Sequence, residues 1–420
     1  MRIGFLDGAV RMLNGSQLGT RLARMLAMIG LAGMAAPACV AVDARTFMSE
    51  EQQDVARLDN LAHARFWGDE VTPEIQAVIR TQYQQVHQTA LKGERRSSLR
   101  KADYLAISGG GANGAFAAGV LVGWTKRGDR PEFEVVTGVS TGALAAPFAF
   151  LGSKYDPELT KIYTAYGDSD IMRSRGLLGV LGTGVYDNAP LRKLISDQMS
   201  ERLIDEIAVE YHRGRRLLVQ TTNIDAQRPV IWDISAISAS RRADRKKLIT
   251  DILLASAAIP AVFPPMRIHV RSAGGAYDEL HVDGGVSAQV FFAPPNIRFA
   301  DFEREEFGRP RTRSLYVIRN GRLNPTYELT AERTIPIAQR AIATLTTYQG
   351  LADLARLQTL ARAGSARLSF VSIPRSFSSI PRSEFDKAYM RELYRVGTQL
   401  GFAGRWNMDT PTTPALAAGK

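Results

Sequence analysis

The pattern of apolar and polar positions changes near residue 104. Residues 40–100 are polar, and their apolar side chains recur at helical spacing, which predicts a helical N-terminal region. From residue 104 onward, short apolar runs alternate with longer helix-like stretches. Strands are predicted at residues 104–108, 134–139, 215–222, 229–234 and 314–319, and helices at 115–127, 141–151, 337–362 and 384–400. This alternation predicts an α/β fold with a mostly parallel sheet that helices cover on both faces.

A glycine loop follows the first predicted strand. Residues 109–114 read Gly-Gly-Gly-Ala-Asn-Gly, and a helix is predicted directly behind them. Glycines permit a sharp turn with exposed N–H groups, and the helix N-terminus adds partial positive charge, so the loop favours an anion. That anion could be a dinucleotide pyrophosphate, a nucleotide phosphate or the oxyanion of acyl transfer. A tight turn without a ligand is the alternative, and a P-loop is excluded because no Gly-Lys-Ser/Thr follows.

A Gly-x-Ser-x-Gly sequence, Gly138-Val-Ser-Thr-Gly142, lies between the second predicted strand and the second predicted helix. In this position the pattern indicates a nucleophile elbow, in which two glycines relieve crowding around a serine with strained backbone angles. Ser140 is therefore the candidate nucleophile. The alternative is a small serine packed in a tight turn, since short matches of this kind also arise by chance.

A nucleophilic serine needs a base. The last 139 residues contain no histidine, and His281 lies in an apparent strand, so a histidine-containing triad is poorly supported. Asp283 offers another base, because it ends that strand and is followed by Gly284 and Gly285. The two glycines would let the carboxylate reach out of a tight turn toward a neighbouring loop. An ordinary Asp-Gly turn is the alternative.

These features together resemble the patatin-like phospholipase family. The glycine loop, the Ser140 elbow and the Asp-Gly-Gly turn occur in the order typical of that family. Residues 255–265, Ala-Ser-Ala-Ala-Ile-Pro-Ala-Val-Phe-Pro-Pro, resemble the segment that precedes its aspartate. The resemblance covers residues 104–300. It implies a patatin-like three-layer α/β/α fold with a mostly parallel central sheet, helical additions at both ends, and residues 301–410 as an α/β completion.

The resemblance also implies roles for individual residues. Ser140 would be the nucleophile, and Asp283 would accept its proton. The oxyanion hole would consist of the backbone N–H groups of Gly109, Gly110 and Gly111. Five further glycines would support the shapes of the three loops: Gly114, Gly138, Gly142, Gly284 and Gly285. Because aspartate is a weak base in water, we expect either burial that raises its pKa or a short, dry hydrogen bond to Ser140.

Two positions depart from the family's pattern. Many relatives open the glycine loop with Asp, where this chain has Ser108, and many carry Arg or Lys before its last glycine, where this chain has Asn113. Backbone donors survive both changes. A contact from the missing basic side chain, for example to a lipid phosphate, does not survive.

The composition is that of an ordinary globular protein, with 45% hydrophobic and 23% charged residues among 420. The net charge is +11, but the basic residues are spread along the chain, so we expect no nucleic-acid partner. The densest basic run, residues 241–247, is typical of a solvated helix face, and attraction to anionic lipid is the other interpretation. We expect no metal or organic cofactor, because no cluster of ligands with metal spacing is present.

Residues 1–38 have the features of a bacterial-type export signal, in which four arginines precede a short apolar core and a small-residue site. Cys39 is the only cysteine, so an internal disulfide is excluded. Its position fits a lipoprotein acylation site, and ordinary cleavage after an alanine is the alternative. We therefore expect a periplasmic or outer-membrane-associated protein, with a disordered tail at residues 411–420.

The sequence predicts an exported serine acyl hydrolase that cleaves fatty acyl esters of phospholipids or lysophospholipids at a membrane surface. The apolar, glycine-rich residues 171–185 are interpreted either as a mobile flap at a lipid-binding mouth or as a buried loop. The competing class is a non-catalytic protein that binds a nucleotide or a lipid phosphate in the glycine loop, with Ser140 as a turn residue.

Overall fold

The structure is a computed structural model, and it describes residues 45–61, 63–176 and 182–408, without the side chain of Ile335. The expected export signal, Cys39 and the expected tail at 411–420 lie outside the described residues. Part of the segment 171–185 also lies outside them. The described residues from Phe47 to Met408 belong to one compact unit.

Strands in the described residues form one nine-stranded sheet and one short hairpin. They are β1 (Arg65–Trp67), β2 (Lys101–Ile107), β3 (Val135–Val139), β4 (Arg173–Ser174), β5 (Tyr186–Asp187), β6 (Arg216–Asn223), β7 (Arg228–Asp233), β8 (Met266–Ser272), β9 (Gly275–Asp283), β10 (Thr312–Arg319) and β11 (Ala366–Ser372). The order in the large sheet is β1-β7-β6-β3-β2-β10-β11, with β9 paired to β6 and β8 paired to β9. The strands β6, β3, β2, β10 and β11 are parallel, which confirms the predicted parallel core. Antiparallel pairing brings in the other four strands of the sheet.

Helices surround this sheet. They are α1 (Glu50–Asp54), α2 (Pro73–Leu91), α3 (Gly114–Arg127), α4 (Thr141–Leu151), α5 (Asp156–Ala165), α6 (Asp168–Ile171), α7 (Ala189–Gln198), α8 (Glu201–His212), α9 (Ile234–Ala239), α10 (Arg245–Ser256), α11 (Phe299–Phe307), α12 (Thr334–Ala363) and α13 (Lys387–Ala403). Within the described ranges, no helix combines the length and apolar character needed to cross a bilayer.

Side chains on β2 show why the fold has three layers. Leu105 and Ile107 belong to a core that includes apolar residues of α3, α4 and α13. Tyr104 and Ala106 belong to a separate core that includes apolar residues of α12. Because successive side chains of a strand point to opposite faces, the sheet lies between two helical layers. The predicted α/β/α architecture is confirmed.

The N-terminal region is not wholly helical, which corrects the sequence interpretation. Residues Arg65–Trp67 form β1 at the edge of the sheet, beside β7. Arg65 donates hydrogen bonds to both carboxylate oxygens of Glu279 at 3.1 and 2.6 Å, and both side chains are buried. Burial alone would raise the pKa of Glu279, but the Arg65 guanidinium and His281 lower it to about 2. A three-residue strand held by a distant ion pair leaves no periodic pattern in the sequence.

The last helix, α13, packs closely on α3, the helix behind the glycine loop. A Cβ at Gly119 of α3 would lie 2.1 Å from the carbonyl oxygen of Tyr394, and a Cβ at Gly397 of α13 would lie 2.3 Å from that of Phe116. Only glycine permits the two backbones to approach so closely. The C-terminal helix therefore supports the element that carries the glycine loop.

Two strands meet end to end along one edge of β6. The pairing of β3 with β6 finishes where Val139 lies opposite Gln220, and the pairing of β9 with β6 finishes where Asp283 lies opposite Thr221. Since β7 takes the other edge of β6 along the same residues, β3 and β9 must share an edge. Ser140, the next residue after β3, is thereby brought to Asp283, the last residue of β9.

Candidate active site

Ser140 occupies a strained turn between β3 and α4. Its backbone angles are φ 52° and ψ −125°, a combination that residues with a side chain rarely adopt. A Cβ at Gly138 would lie 2.5 Å from the carbonyl oxygen of Gly142, and a Cβ at Gly142 would lie 2.4 Å from that of Ile107. Close backbone approach therefore requires both glycines of the Gly-x-Ser-x-Gly sequence, and the local geometry is that of a nucleophile elbow.

A second serine, Ser256 at the end of α10, holds the elbow. Its Oγ accepts a hydrogen bond from the Ser140 N–H at 3.0 Å and donates to the carbonyl oxygen of Gln220 on β6 at 2.7 Å. The bridge gives the backbone N–H of the strained turn a partner in a buried environment. Ser256 lies in the segment 255–265 that carries part of the family resemblance, but no local pattern reveals this contact.

Asp283 lies beside the elbow at the end of β9. Its Oδ1 accepts the N–H of Gly285 at 2.7 Å, and its carbonyl oxygen accepts the hydroxyl of Thr222 at 3.0 Å. A Cβ at Gly284 would lie 2.4 Å from the carbonyl oxygen of Gln220, so the Asp-Gly-Gly turn packs directly against β6. These contacts fix the position of the carboxyl group.

The carboxyl group of Asp283 is buried, and its Oδ2 accepts no well-aligned hydrogen bond from the described residues. Burial raises the pKa of Asp283 to about 6, although hydrogen bonding from Ser140 and Gly285 lowers it. Among the described residues, no partner has full hydrogen-bond geometry to Oδ2. The Ser140 hydroxyl is therefore close enough to affect the carboxyl group without a well-aligned bond. Catalytic hydrogen bonds of this kind often tighten only when substrate binds.

The glycine loop lies against the elbow. A Cβ at Gly109 would be 3.3 Å from the Cβ of Ser140, and a Cβ at Gly114 would be 2.1 Å from Oγ1 of Thr141. The first and last glycines of the loop thus contact the nucleophile and the residue that follows it. The fold brings the three predicted motifs together at the carboxyl ends of the parallel strands.

The three N–H groups expected in the oxyanion hole differ in their partners. The N–H of Gly109 donates to the carbonyl oxygen of Gln289 at 2.9 Å, so in this structure it is not available to an oxyanion. No acceptor is found within the described residues for the N–H of Gly110 or Gly111. The expectation for Gly109 is therefore corrected to a structural role, and Gly110 and Gly111 remain the candidate donors.

A family model of patatin-like phospholipases matches residues 105–295. Residues 105–295 form a patatin-like phospholipase domain. The match includes the glycine loop, the Ser140 elbow and the Asp283 turn. The strands β10 and β11 and the helices α12 and α13 lie outside it, although β10 and β11 extend the same sheet.

Several solved structures are similar to this chain, among them one bacterial and one human protein. VipD from Legionella pneumophila is 13% identical, with a TM-score of 0.38, over 73% of this chain and 67% of VipD. Human GIVD cytosolic phospholipase A2 is 10% identical, with a TM-score of 0.28, over 74% of this chain. This chain covers 52%, about half, of the human enzyme. No curated protein matches the sequence.

The two departures from the patatin-like pattern have structural roles. The Ser108 hydroxyl accepts the N–H of Asn320 at 2.8 Å, and the Asn320 side-chain amide donates to the carbonyl oxygen of Ser108 at 2.8 Å. A Cβ at Gly110 would lie 2.4 Å from the Asn320 carbonyl oxygen, so this asparagine supports the loop from beneath. Asn113 accepts a hydrogen bond from the Tyr389 hydroxyl at 2.6 Å, which ties the loop to α13.

Histidine takes no part in this site. His281 is fully buried, and its ring nitrogens contact Thr221 Oγ1 at 2.9 Å and Glu279 Oε2 at 3.1 Å. It is a structural residue of β9, as the sequence suggested. The remaining histidines are absent from the lining of the pocket at Ser140: His63, His87, His212 and His269.

An apolar pocket opens above Ser140 in the patatin-like domain. Its cavity volume is about 50 Å³, which is smaller than the roughly 300–1,000 Å³ typical of small-molecule sites. Its lining is almost wholly apolar: Gly111, Ser140, Thr141, Leu144, Ile162, Tyr163, Ile171, Leu191, Leu194, Ala257, Ile259, Phe263, Phe385 and Met390. No charged side chain of the described residues lines it, so the pocket suits a hydrocarbon chain and disfavours a nucleotide.

Proposed function

We propose that this protein is a serine acyl hydrolase that cleaves fatty acyl esters of phospholipids or lysophospholipids. The patatin-like phospholipase domain supports lipid hydrolysis in general. The finer proposal depends mainly on one observation, the position of the strained Ser140 beside the buried carboxyl group of Asp283. The apolar lining of the pocket above Ser140 has the chemical character that an acyl chain requires.

In the first half of the reaction, Ser140 Oγ attacks the ester carbonyl carbon and its proton passes to Asp283 Oδ2. The carbonyl π electrons move to the oxygen, which becomes an oxyanion facing the N–H groups of Gly110 and Gly111. When the tetrahedral intermediate collapses, the bond to the alcohol oxygen breaks. Asp283 returns the proton to that oxygen, and the lipid alcohol leaves an acyl-serine behind.

In the second half, water repeats the same sequence. Asp283 accepts a proton from water as the water oxygen attacks the acyl-serine carbon. The oxyanion again faces Gly110 and Gly111, and collapse releases the fatty acid while Ser140 recovers its proton. The atoms and charges balance without a metal or an organic cofactor.

Burial makes Asp283 a better base than a solvated aspartate. With its pKa raised to about 6, the carboxyl group is still mostly ionised at pH 7 but holds a proton more tightly than a free side chain does. Catalytic groups are most effective when the pKa lies near the working pH. We therefore expect the rate to fall as pH falls through about 6, because the base becomes protonated.

The experiment is turnover of a panel of phospholipids and lysophospholipids by the purified protein, beside Ser140→Ala. We expect Ser140→Ala to lower turnover by ~10⁴-fold or more, as is typical for loss of a serine nucleophile. Ser153→Ala is the matched control, since Ser153 is exposed in the loop after α4 and should keep full activity. Equal turnover by Ser140→Ala would overturn the proposal, as would binding of a nucleotide without ester cleavage.

We also propose that the protein is exported and that Cys39 is its lipid attachment site. The proposal rests on the basic flank, apolar core and single cysteine near the N-terminus. Mass spectrometry of the mature N-terminus should find an acylated Cys39, and the acyl group should be missing from Cys39→Ser. A mature N-terminus with unmodified Cys39, or one beyond it, would reject the attachment site.

A further inference from the structure

The helix α12 is longer than the strand it accompanies. Thirty residues of α-helix extend about 45 Å, whereas the eight residues of β10 extend about 26 Å. The helix meets the carboxyl end of β10 at Gly350, where a Cβ would lie 1.9 Å from Nη1 of Arg319. From there to its C-terminus α12 packs on the sheet through Leu354 and Leu357. The preceding residues 334–349 therefore extend beyond the carboxyl ends of the parallel strands.

This projecting half and the loop before it carry an exposed apolar surface. Its large side chains are between 50% and 88% exposed, and we call them the apolar platform: Tyr327, Leu329, Ile337, Ile342, Leu345 and Tyr348. Residues 334–352 contain a single charged side chain, Arg340, and Glu328 pairs with it at 3.2 Å. An exposed helix normally carries many charges, so this composition points to a partner that is itself apolar.

The platform adjoins the candidate active site. The side-chain amide of Gln349 donates to the carbonyl oxygen of Val286 at 3.3 Å, and its Oε1 accepts a hydrogen bond from Gln289 at 3.1 Å. Val286 is three residues after Asp283 and is half exposed. The platform thus begins where the Asp-Gly-Gly turn reaches the surface, at the edge of the sheet on which Ser140 lies.

We propose that the apolar platform inserts into the interfacial region of a phospholipid bilayer and places the mouth of the Ser140 pocket on the membrane. The inference rests on the proposed function, because an acyl ester must leave its bilayer to reach a serine that is only 5% exposed. Tyr327 and Tyr348 accompany the Ile and Leu side chains, and aromatic residues with a polar tip are typical of membrane interfaces. Because the platform has almost no net charge, apolar burial drives the docking, and neutral phosphatidylcholine suffices.

The test is flotation of the protein with phosphatidylcholine vesicles, in a background that carries Ser140→Ala and Cys39→Ser, so that neither turnover nor an acyl anchor affects binding. Ile342→Glu with Leu345→Glu should weaken vesicle binding by about 100-fold, since each buried aliphatic side chain contributes about tenfold or more in affinity. Val209→Glu is the matched control. It replaces an aliphatic residue that is 50% exposed on α8, the helix that leads into the amino end of β6 at the opposite edge of the sheet. This control should bind as the parent does.

The possible results test the membrane docking of the platform separately from the proposed ester hydrolysis. Binding by the double variant at the parental level would overturn the inference. A dimer that the same two substitutions convert to a monomer, with vesicle binding unchanged, would assign the platform to a second copy and also overturn it. Loss of binding in 0.5 M salt would assign docking to the basic surface instead. Platform-dependent binding by a protein that hydrolyses no ester would support the platform and reject the proposed function.

Discussion

Two regions at the carboxyl edge of the sheet differ in how tightly the surrounding structure restricts their side chains. At the junction of β3, β6 and β9, backbone atoms approach so closely that Gly138, Gly142 and Gly284 admit no side chain. On the flank formed by the apolar platform, the large apolar side chains are exposed to solvent. The first region fixes a few atoms within fractions of an ångström. The second has the exposed apolar side chains expected of a surface that a bound partner covers.

The difference indicates how the two regions tolerate substitution. At the junction, one added methyl group meets backbone, which cannot move aside without disturbing three strands. On the flank, a polar or charged side chain meets only solvent in the isolated protein. Variants of the junction should therefore alter chemistry or folding, whereas variants of the platform should alter only encounters with lipid.

The largest effect among the following variants should come from Gly110→Ala. Its Cβ would lie 2.4 Å from the carbonyl oxygen of Asn320, so the loop must shift and one candidate oxyanion donor moves away. We expect turnover of a water-soluble ester to fall by ~10²–10³-fold. Gly152→Ala is the matched control, since Gly152 also has positive φ but has open space around it and lies at the far end of α4. Equal losses in the two variants would reject the specific role of Gly110.

A smaller effect should follow Ser256→Ala, which removes the bridge between Ser140 and Gln220. The buried N–H of the elbow would lose its acceptor at a cost of ~1–3 kcal/mol, so we expect kcat to fall by about 10–100-fold with little change in KM. Ser238→Ala removes another buried hydroxyl that donates to a backbone carbonyl, on α9, and it controls for general destabilisation. A fall of the same size in Ser238→Ala would contradict a positioning role for Ser256.

The stability of the protein should rise in Asp283→Asn. Because the folded pKa of Asp283 is about 6 and the ordinary value is 3.8, the folded state holds the proton more tightly. The free energy of unfolding then falls as pH rises from about 4 to 6, and the penalty is complete above pH 6. Two pH units correspond to ~3 kcal/mol as an upper limit. Thermal melts at pH 7 should show a higher Tm for Asp283→Asn than for the native protein. At pH 4 the difference in Tm between the two proteins should shrink. A lower Tm for Asp283→Asn at pH 7 would contradict a buried, destabilised carboxylate.

The smallest effect should come from the platform. Ile342→Glu with Leu345→Glu in an otherwise native chain should hydrolyse a dissolved short-chain ester within about twofold of the parent, because exposed substitutions away from packed residues change little. A large loss on the dissolved ester would mean that α12 shapes the pocket directly. The comparison between flank and junction would then fail.

The positions of the three loops of the site could be predicted from the sequence. The glycine loop, the Ser140 elbow and the Asp283 turn could be recognised from the sequence, since a short run of residues marks each of them. The parallel core was predictable for the same reason, because strands such as β3 carry apolar runs bounded by glycine. Local patterns therefore identified Ser140 and Asp283 as candidates, and the family resemblance supplied their roles.

Other parts of the site depend on contacts that are distant in sequence. Ser256 reaches Ser140 across 116 residues, and Asn320 reaches Ser108 across 212. The N–H of Gly109 is taken by Gln289, a partner that no local pattern indicates. In the same way, β1 joins the sheet through Arg65 and Glu279. In the sequence, the residues that make these contacts have no pattern that distinguishes them from other polar residues or glycines.

The most direct test of the Ser140–Asp283 pair is the rate at which a fluorophosphonate labels Ser140, measured against pH in the native protein and in Asp283→Asn. The account predicts that peptide mass spectrometry finds the label on Ser140. In the native protein the rate should fall about tenfold per pH unit below about 6, where the carboxyl group is protonated. Asp283→Asn should label slowly at every pH. Labelling of Asp283→Asn at the native rate, or labelling of a different serine, would contradict the account.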